Sequence, residues 1–227
     1  AETEVEVTLI GGELRISDLV VIGSHCAGLD VVAGALSREG FTVKVMAVGS
    51  QGGLAAVGRG ECDVAPIHLL DAETGRYNEP FLESGLRLLH GYARMQGVVT
   101  RPDEPRETEA LIADETLRMV NRNRGAGTRI LIDRLLGERR PPGYPYEPRS
   151  HYAVAAAVSQ KRADWGVTIE TVAQQSGLRF RPLQAEHYDF AIPEDRWERP
   201  AVRALRRLLE PGSPLRRDLE EMGFPPH

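Results

Sequence analysis

Four short stretches join the end of a strand-like run to the start of a helix-like one through small or hydroxyl residues. They are Gly23-Ser24-His25, Gly49-Ser50-Gln51-Gly52-Gly53, Gly125-Ala126-Gly127-Thr128 and Ser150-His151. Each leaves backbone N–H groups at the positive end of a helix, and the hydroxyls add donors, so the chemistry on offer is the capture of an anion. One such turn is an ordinary helix cap. Four of them at the carboxyl ends of strands in an open α/β sheet can converge on one ligand. The candidate ligand-binding set is therefore Ser24, His25, Ser50, Gln51, His68, Asn121, Gly125, Gly127, Thr128, His151 and Tyr188. Ser24 and Ser50 can cap and bind at once. Gly125 and Gly127 lack a Cβ and let the backbone approach a ligand, Thr128 follows them, and Asn121 ties down the loop before Gly125. His25, His68 and His151 follow strand ends or helix starts, and Tyr188 is expected at the rim of the cleft. Arg122, Arg124 and Arg129 are expected to steer an anion from solvated faces.

Other chemistries find no matching spacing. The glycine stretches fit neither the dinucleotide fingerprint nor a Walker loop. There is no Gly-x-Ser-x-Gly elbow and no His-Glu-x-x-His, and the six histidines are scattered singles, so no catalytic or metal-ligating set is assigned. Cys26 and Cys62 sit in apolar runs without ligand spacing and read as buried, reduced thiols.

The elements that must position these residues follow from periodicity. Leu19 to Gly23 is a short apolar run that stops at Gly-Ser, as a buried parallel strand does. Leu29, Val32, Ala33 and Leu36 then recur at helical spacing. Phe41 to Val48 alternates as a second strand, Leu54 to Arg59 is a short helix, and Gly60 to Ile67 a third strand whose Pro66 places it at a sheet edge. The order β-α-β-α-β predicts an α/β fold. Leu86 to Val99 is long enough to cross from one sheet to another. Beyond it, Glu107 to Asp114 reads as helix, Leu117 to Asn121 as strand and Thr128 to Leu136 as helix. Ser150 caps a helix through Val158, and strand Ala163 to Thr168 leads to helix Ile169 to Gly177. Two separate strands, Leu178 to Leu183 and Tyr188 to Ile192, are expected next, the second crossing back. Helices Pro200 to Leu209 and Pro214 to Met222 complete the chain. An inserted lobe must leave and return, which predicts two crossings, one lobe from 1–91 plus 189–227 and a second from 92–188.

Length and composition fit this reading. At about 150 residues per domain, 227 residues at 41% hydrophobic and 27% charged make one large domain or two small lobes. Lys+Arg total 28 against 33 Asp+Glu, and a formal charge of -5 gives no reason to expect direct nucleic-acid binding. No apolar run reaches the roughly 20 residues of a membrane span. The start Ala1-Glu-Thr-Glu-Val-Glu-Val7 is acidic and β-like and lacks the features of a secretory signal. The expectation is a cytoplasmic domain cut from a longer polypeptide, or a periplasmic or extracellular one if a signal was removed.

Several stretches carry a family resemblance. Gly23-Ser-His25, Gly60-Glu-Cys-Asp-Val-Ala65, Ile67-His-Leu-Leu-Asp71, Gly91-Tyr-Ala-Arg-Met-Gln-Gly97, Asn121-Arg-Asn-Arg-Gly-Ala-Gly-Thr-Arg129, Ser150-His-Tyr-Ala-Val-Ala155 and Glu186-His-Tyr-Asp189 resemble, in order, the periplasmic-binding-protein-like molybdate-binding domains. The resemblance implies a two-lobed type II binding-protein fold with molybdate or tungstate as ligand and no cofactor. It implies a domain found alone, behind a helix-turn-helix, fused to the C-terminus of a molybdopterin molybdenumtransferase, or beside an ABC permease. The chain departs from the pattern at Cys26-Ala27 and at Arg124-Gly-Ala-Gly127, where one hydroxyl donor is missing. In this reading the domain is a non-catalytic receptor that binds through neutral hydroxyl and amide donors. The rival classes are an enzyme descended from the same fold and an effector domain of LysR type that binds an organic acid.

Overall fold

A computed structural model describes residues 17–71 and 73–227. The acidic start at Ala1–Val7, read as β-like, lies outside the described residues. Strand β1 (Leu19–Gly23) pairs in parallel with β2 (Val43–Ala47) across helix α1 (Ala27–Arg38), which buries Leu29, Val32 and Leu36. Helix α2 (Ser50–Gly58) leads to β3 (Ala65–Ile67), which lies next to β1 through a Val21–Val64 bridge. Pro66 sits within β3 at the end of the five-stranded sheet, and on the side that faces β1 it offers only its carbonyl, which accepts from Ser24 N at 2.9 Å.

Two strands of fifteen residues each, β4 (Leu86–Thr100) and β7 (Arg179–Pro193), run antiparallel through the molecule. These are the two crossings. The larger sheet has the order β3-β7-β4-β6-β5, with β5 at Met119–Val120 and β6 at Trp165–Ile169. The expected pair of strands 178–183 and 188–192 is thus a single strand. Glu186, which breaks the apolar pattern between them, is itself buried in the sheet.

Helices α3 (Thr108–Ala113), α4 (Gly127–Leu136), α5 (His151–Ser159) and α6 (Glu170–Gln175) cover the second lobe, and α7 (Pro200–Leu208) and α8 (Pro214–Glu221) return to the first. One apolar core gathers Leu19, Val21, Leu29, Leu36, Phe190, Ile192, Leu205 and Leu219. Another gathers Val98, Leu111, Met119, Ile132, Trp165 and Val167. Ala155, Ile169 and Val172 pack into the first core although they belong to elements of the second lobe, so the lobes share apolar contact. Among the described residues no helix is long and apolar enough to cross a membrane.

The caps partly differ from expectation. Ser150 does cap α5, its hydroxyl accepting from Ala153 N at 3.1 Å. Ser24 does not cap α1, which starts two residues later than the Ser-His turn with Cys26 at the N-cap and no side-chain cap bond. The short helix expected from Leu54 already begins at Ser50. Cys26 and Cys62 are both buried and free.

Candidate functional site

The turns between strands and helices face one another across the gap between lobes. Ser24, His25 and Gly49 from the first lobe and Arg122, Asn123, Arg124, Ala126 and Arg149 from the second line a cleft of about 330 Å³. Gly125 turns the loop with φ +85, a backbone conformation that favours glycine. Gly127 approaches His68 so closely that a Cβ would lie 2.6 Å from the His68 carbonyl oxygen. The starts of α2 and α4 thereby meet the residue after β3, α2 through the bond from His68 N to Ser50 Oγ.

The hydroxyls sit deep. Ser24 is buried, its N–H bonded to Pro66 O at 2.9 Å and its carbonyl receiving the Tyr188 hydroxyl at 2.5 Å. Ser50 Oγ accepts from His68 N at 3.2 Å, and an accepting hydroxyl can still donate. Thr128 Oγ1 is buried at the second residue of α4 with no partner among the described residues. Such a group costs stability unless something accepts from it.

Beneath the hydroxyls lies a charged layer that the sequence reading did not contain. Arg94, on β4, is 2% exposed and donates through Nε to Glu186 Oε2 at 2.7 Å, while its Nη1 and Nη2 have no acceptor among the described residues. Arg122 is 6% exposed; its Nη2 reaches Arg149 O at 3.4 Å, and its Nε and Nη1 have no acceptor among the described residues. The expectation of solvated arginines is therefore corrected for Arg122, and for Arg129, which is also 6% exposed; Arg94 had no place in it. Arg124 does line the open cleft. Arg129 is spent on structure, donating to Asp133, Glu147, Tyr144 and the Arg122 carbonyl.

Electrostatics sharpen the picture. Burial, and then the positive charge of Arg94, push the Arg122 pKa down to about 10. Burial alone would raise Glu186 and lower Arg94, but Arg94 and His68 together outweigh it for Glu186, as Glu186 with Cys26, Tyr188 and Tyr92 does for Arg94, so both stay charged. His68 donates Nδ1–H to Glu186 Oε1 at 2.8 Å, and burial keeps its pKa below the usual histidine value in spite of that carboxylate. His151, with Nδ1 at 3.1 Å from Thr168 Oγ1, is held well below it by burial and then by Arg122 and Arg94. With both histidines neutral, two guanidiniums face one carboxylate. The cluster carries a net positive charge.

The remaining candidates have structural work. Asn121 donates to Tyr144 O at 3.1 Å and accepts from Arg122 N at 2.9 Å, which fixes the loop carrying Arg122. His25 pairs with exposed Asp30 at 2.8 Å at the cleft mouth. Gln51 is exposed and lines an outer groove with Leu54 and Phe81. Tyr188 is not at a rim. It is fully buried, stacked on Tyr92 at 5.0 Å and under the Arg94 guanidinium, which lies 4.9 Å from its ring. Tyr92 in turn places its hydroxyl 3.1 Å from Cys26 Sγ. Arg94 and Glu186 lay within stretches that carried the family resemblance. The position of both on crossing strands was the signal that could have marked them.

Comparison with solved structures returns the same architecture. A phosphate ABC transporter substrate-binding protein from Clostridium perfringens with bound phosphate is similar at a TM-score of 0.70 and 11% identity, over 92% of this chain and 99% of that one. The regulatory domain of MetR, a LysR family regulator from N. meningitidis, is similar at a TM-score of 0.63 and 12% identity, over 92% of this chain and 95% of that one. Among curated proteins, YvgK of Bacillus subtilis, which carries the description "uncharacterized", is 31% identical over 156 residues, 63% of this chain. The chain spans about half, 51%, of that relative's length. The PBP superfamily domain description matches residues 33–210. With two lobes joined by two crossing strands and a polar cleft between them, the chain belongs to the PBP superfamily.

Proposed function

We propose that this domain is a non-catalytic receptor whose lobes, 1–91 with 189–227 and 92–188, close on one small tetrahedral oxyanion, molybdate or tungstate. The observation that carries the reading is the pair of buried guanidiniums, Arg94 and Arg122, whose N–H groups, like the buried Thr128 hydroxyl at the start of α4, have no partner among the described residues. A dianion there meets two positive charges, the hydroxyls of Ser24 and Ser50, and the positive ends of α2, α4 and α5. Each Glu186 oxygen already accepts from His68 or Arg94, so the site offers few acceptors for a proton-bearing anion such as hydrogen phosphate. An oxyanion with acceptors only suits it best. In this reading the domain senses or delivers the anion for molybdenum-cofactor synthesis, uptake or their regulation, within a longer cytoplasmic protein that adds an enzyme or a helix-turn-helix domain. An ABC permease is the partner to test if the parent is exported.

A second reading is favoured by the size of the cleft mouth. About 330 Å³ lined by Arg122, Arg124 and Arg149 exceeds what one tetrahedral anion fills, and suits an organic acid whose carboxylate takes the buried guanidiniums, as for a transcriptional effector domain. Calorimetric titration with molybdate, tungstate, sulfate, phosphate and a panel of small organic acids separates the two. Molybdate and tungstate binding most tightly is the expected result. An organic acid binding while no oxyanion binds below millimolar concentration would replace the first reading with the second.

A further inference from the structure

On the far face of the crossing strands from the arginines, three potential metal ligands meet. We propose that His90, Asp189 and His227 form a site for a borderline divalent cation such as Zn²⁺, Co²⁺ or Ni²⁺. Their nitrogen and carboxylate oxygen atoms all lie within 4.8 Å of one another. His227 Nε2 is 2.7 Å from Asp189 Oδ1, and His90 Nδ1 is 3.7 Å from the same oxygen. Around a tetrahedral zinc with bonds near 2.0–2.1 Å, ligand atoms stand about 3.3 Å apart. The present spacing brackets that value.

Each ligand comes from a different part of the chain. His90 sits where the β4–β7 register shifts between Leu89 and Tyr92, and an irregularity of this kind re-aims side chains out of the ladder. Asp189 is on β7, with its carboxylate buried and oriented by Gly91 N at 2.9 Å on Oδ1 and Asn78 Nδ2 at 2.7 Å on Oδ2. Metal-ligating carboxylates are commonly held by such neighbours. His227 arrives on the segment after α8, which is fastened to β4 by Ala93 N donating to Pro225 O at 2.6 Å. The His227 ring is stacked on His187 with centroids 3.9 Å apart, which fixes its plane. The His90 ring meets it edge-on at 5.5 Å.

Two imidazoles and one carboxylate suit Zn²⁺, Co²⁺ or Ni²⁺ over Mg²⁺ or Ca²⁺, which want oxygen ligands, and three protein ligands leave one coordination position open. The His90 side chain is 62% exposed, so a cation has a route in and His90 has room to rotate toward it. The bound ion would tie both crossing strands to the segment after α8 at the point where the lobes hinge.

The test uses tag-free protein. Calorimetry with Zn²⁺ and Co²⁺, and the visible absorption of four-coordinate Co²⁺, should report one saturable equivalent below millimolar concentration, with no heat from Mg²⁺. H90A and H227A should each weaken binding at least about tenfold. H25A, which removes the His25–Asp30 pair, should leave metal binding intact. Melting each variant without metal confirms that it is folded. Absence of saturable binding, or binding unaffected in both H90A and H227A, overturns the site.

Discussion

Glu186 and Asp189 are both buried carboxylates on β7, yet they live in opposite surroundings. Their odd separation puts them on opposite faces of the strand. Glu186 lines a small pocket with His68, Gly127 and Arg134 and is met by a guanidinium and an imidazole, with a second guanidinium nearby that it does not bond. Asp189 faces away and is met by a backbone N–H, an amide and His227. One face of the hinge thus holds more positive charge than its acceptors absorb, and the other is satisfied by neutral donors and one imidazole. The contrast teaches where a ligand's charge belongs. The Glu186 network leaves donors over and suits an anion, whereas the Asp189 network gathers imidazole nitrogens and a carboxylate, the ligand atoms of a cation.

The largest break in that comparison comes from Arg94→Met. It strands Glu186 without its strongest partner, and losing one member of a buried pair costs about 3–5 kcal/mol. Urea denaturation should show that loss, and calorimetry should show anion binding gone. Stability within about 1 kcal/mol of the parent would mean that Glu186 does not depend on Arg94.

Acid sharpens the comparison next. Arg94 and His68 hold the Glu186 pKa well below its ordinary 4.5 against the opposing effect of burial. A carboxylate depressed in the fold contributes stability that is complete above its unfolded pKa and is lost as pH falls through the folded one. Stability should therefore fall progressively from about pH 5 downward. In Glu186→Gln that part of the profile should flatten. An unchanged acid limb would assign the sensitivity to other carboxylates.

Arg122→Met separates binding from folding. Hydrogen bonds to charged groups contribute about 1.5–3 kcal/mol, so affinity should drop roughly ten- to hundredfold. Stability at pH 7 should hold or rise, because the folded state already disfavours that charge, as its lowered pKa shows. A destabilised variant would show that Arg122 is structural. The smallest expected effect is that of Thr128→Val, which removes one unpartnered hydroxyl and should weaken binding about tenfold with the melting temperature unchanged. Unaltered affinity would take Thr128 out of the site.

Much of the scaffold was legible because it obeys periodicity. The run Leu19–Gly23, the helical spacing of Leu29, Val32 and Leu36, and Ser150 before an alanine-rich helix each report one local rule, and each stands where it was read. The hydroxyl turns were legible for the same reason. Arg94 and Glu186 were not, since a charged residue in a strand pattern ordinarily faces water, and only pairing across strands shows that these two face each other. Glu186 also hid the continuity of β7, because with His187 it interrupts the apolar pattern of that strand. Tyr188 was placed at a rim because it stands at the expected second crossing, whereas here its ring is the floor under a guanidinium.

The paired crossing strands also bear on how the chain acquires its shape in time. Arg94 and Glu186 lie 92 residues apart in sequence, with the whole second lobe closed as a loop between them. Contacts of such separation form only after loop-closure entropy has been met, and topologies rich in them fold slowly. Helices α4 and α5 can form from nearby residues, but the charged floor of the cleft waits for β4 to find β7. In refolding from urea, recovery of anion binding should lag behind recovery of helical signal. Simultaneous recovery would mean that the two long strands pair first and the lobes condense around them.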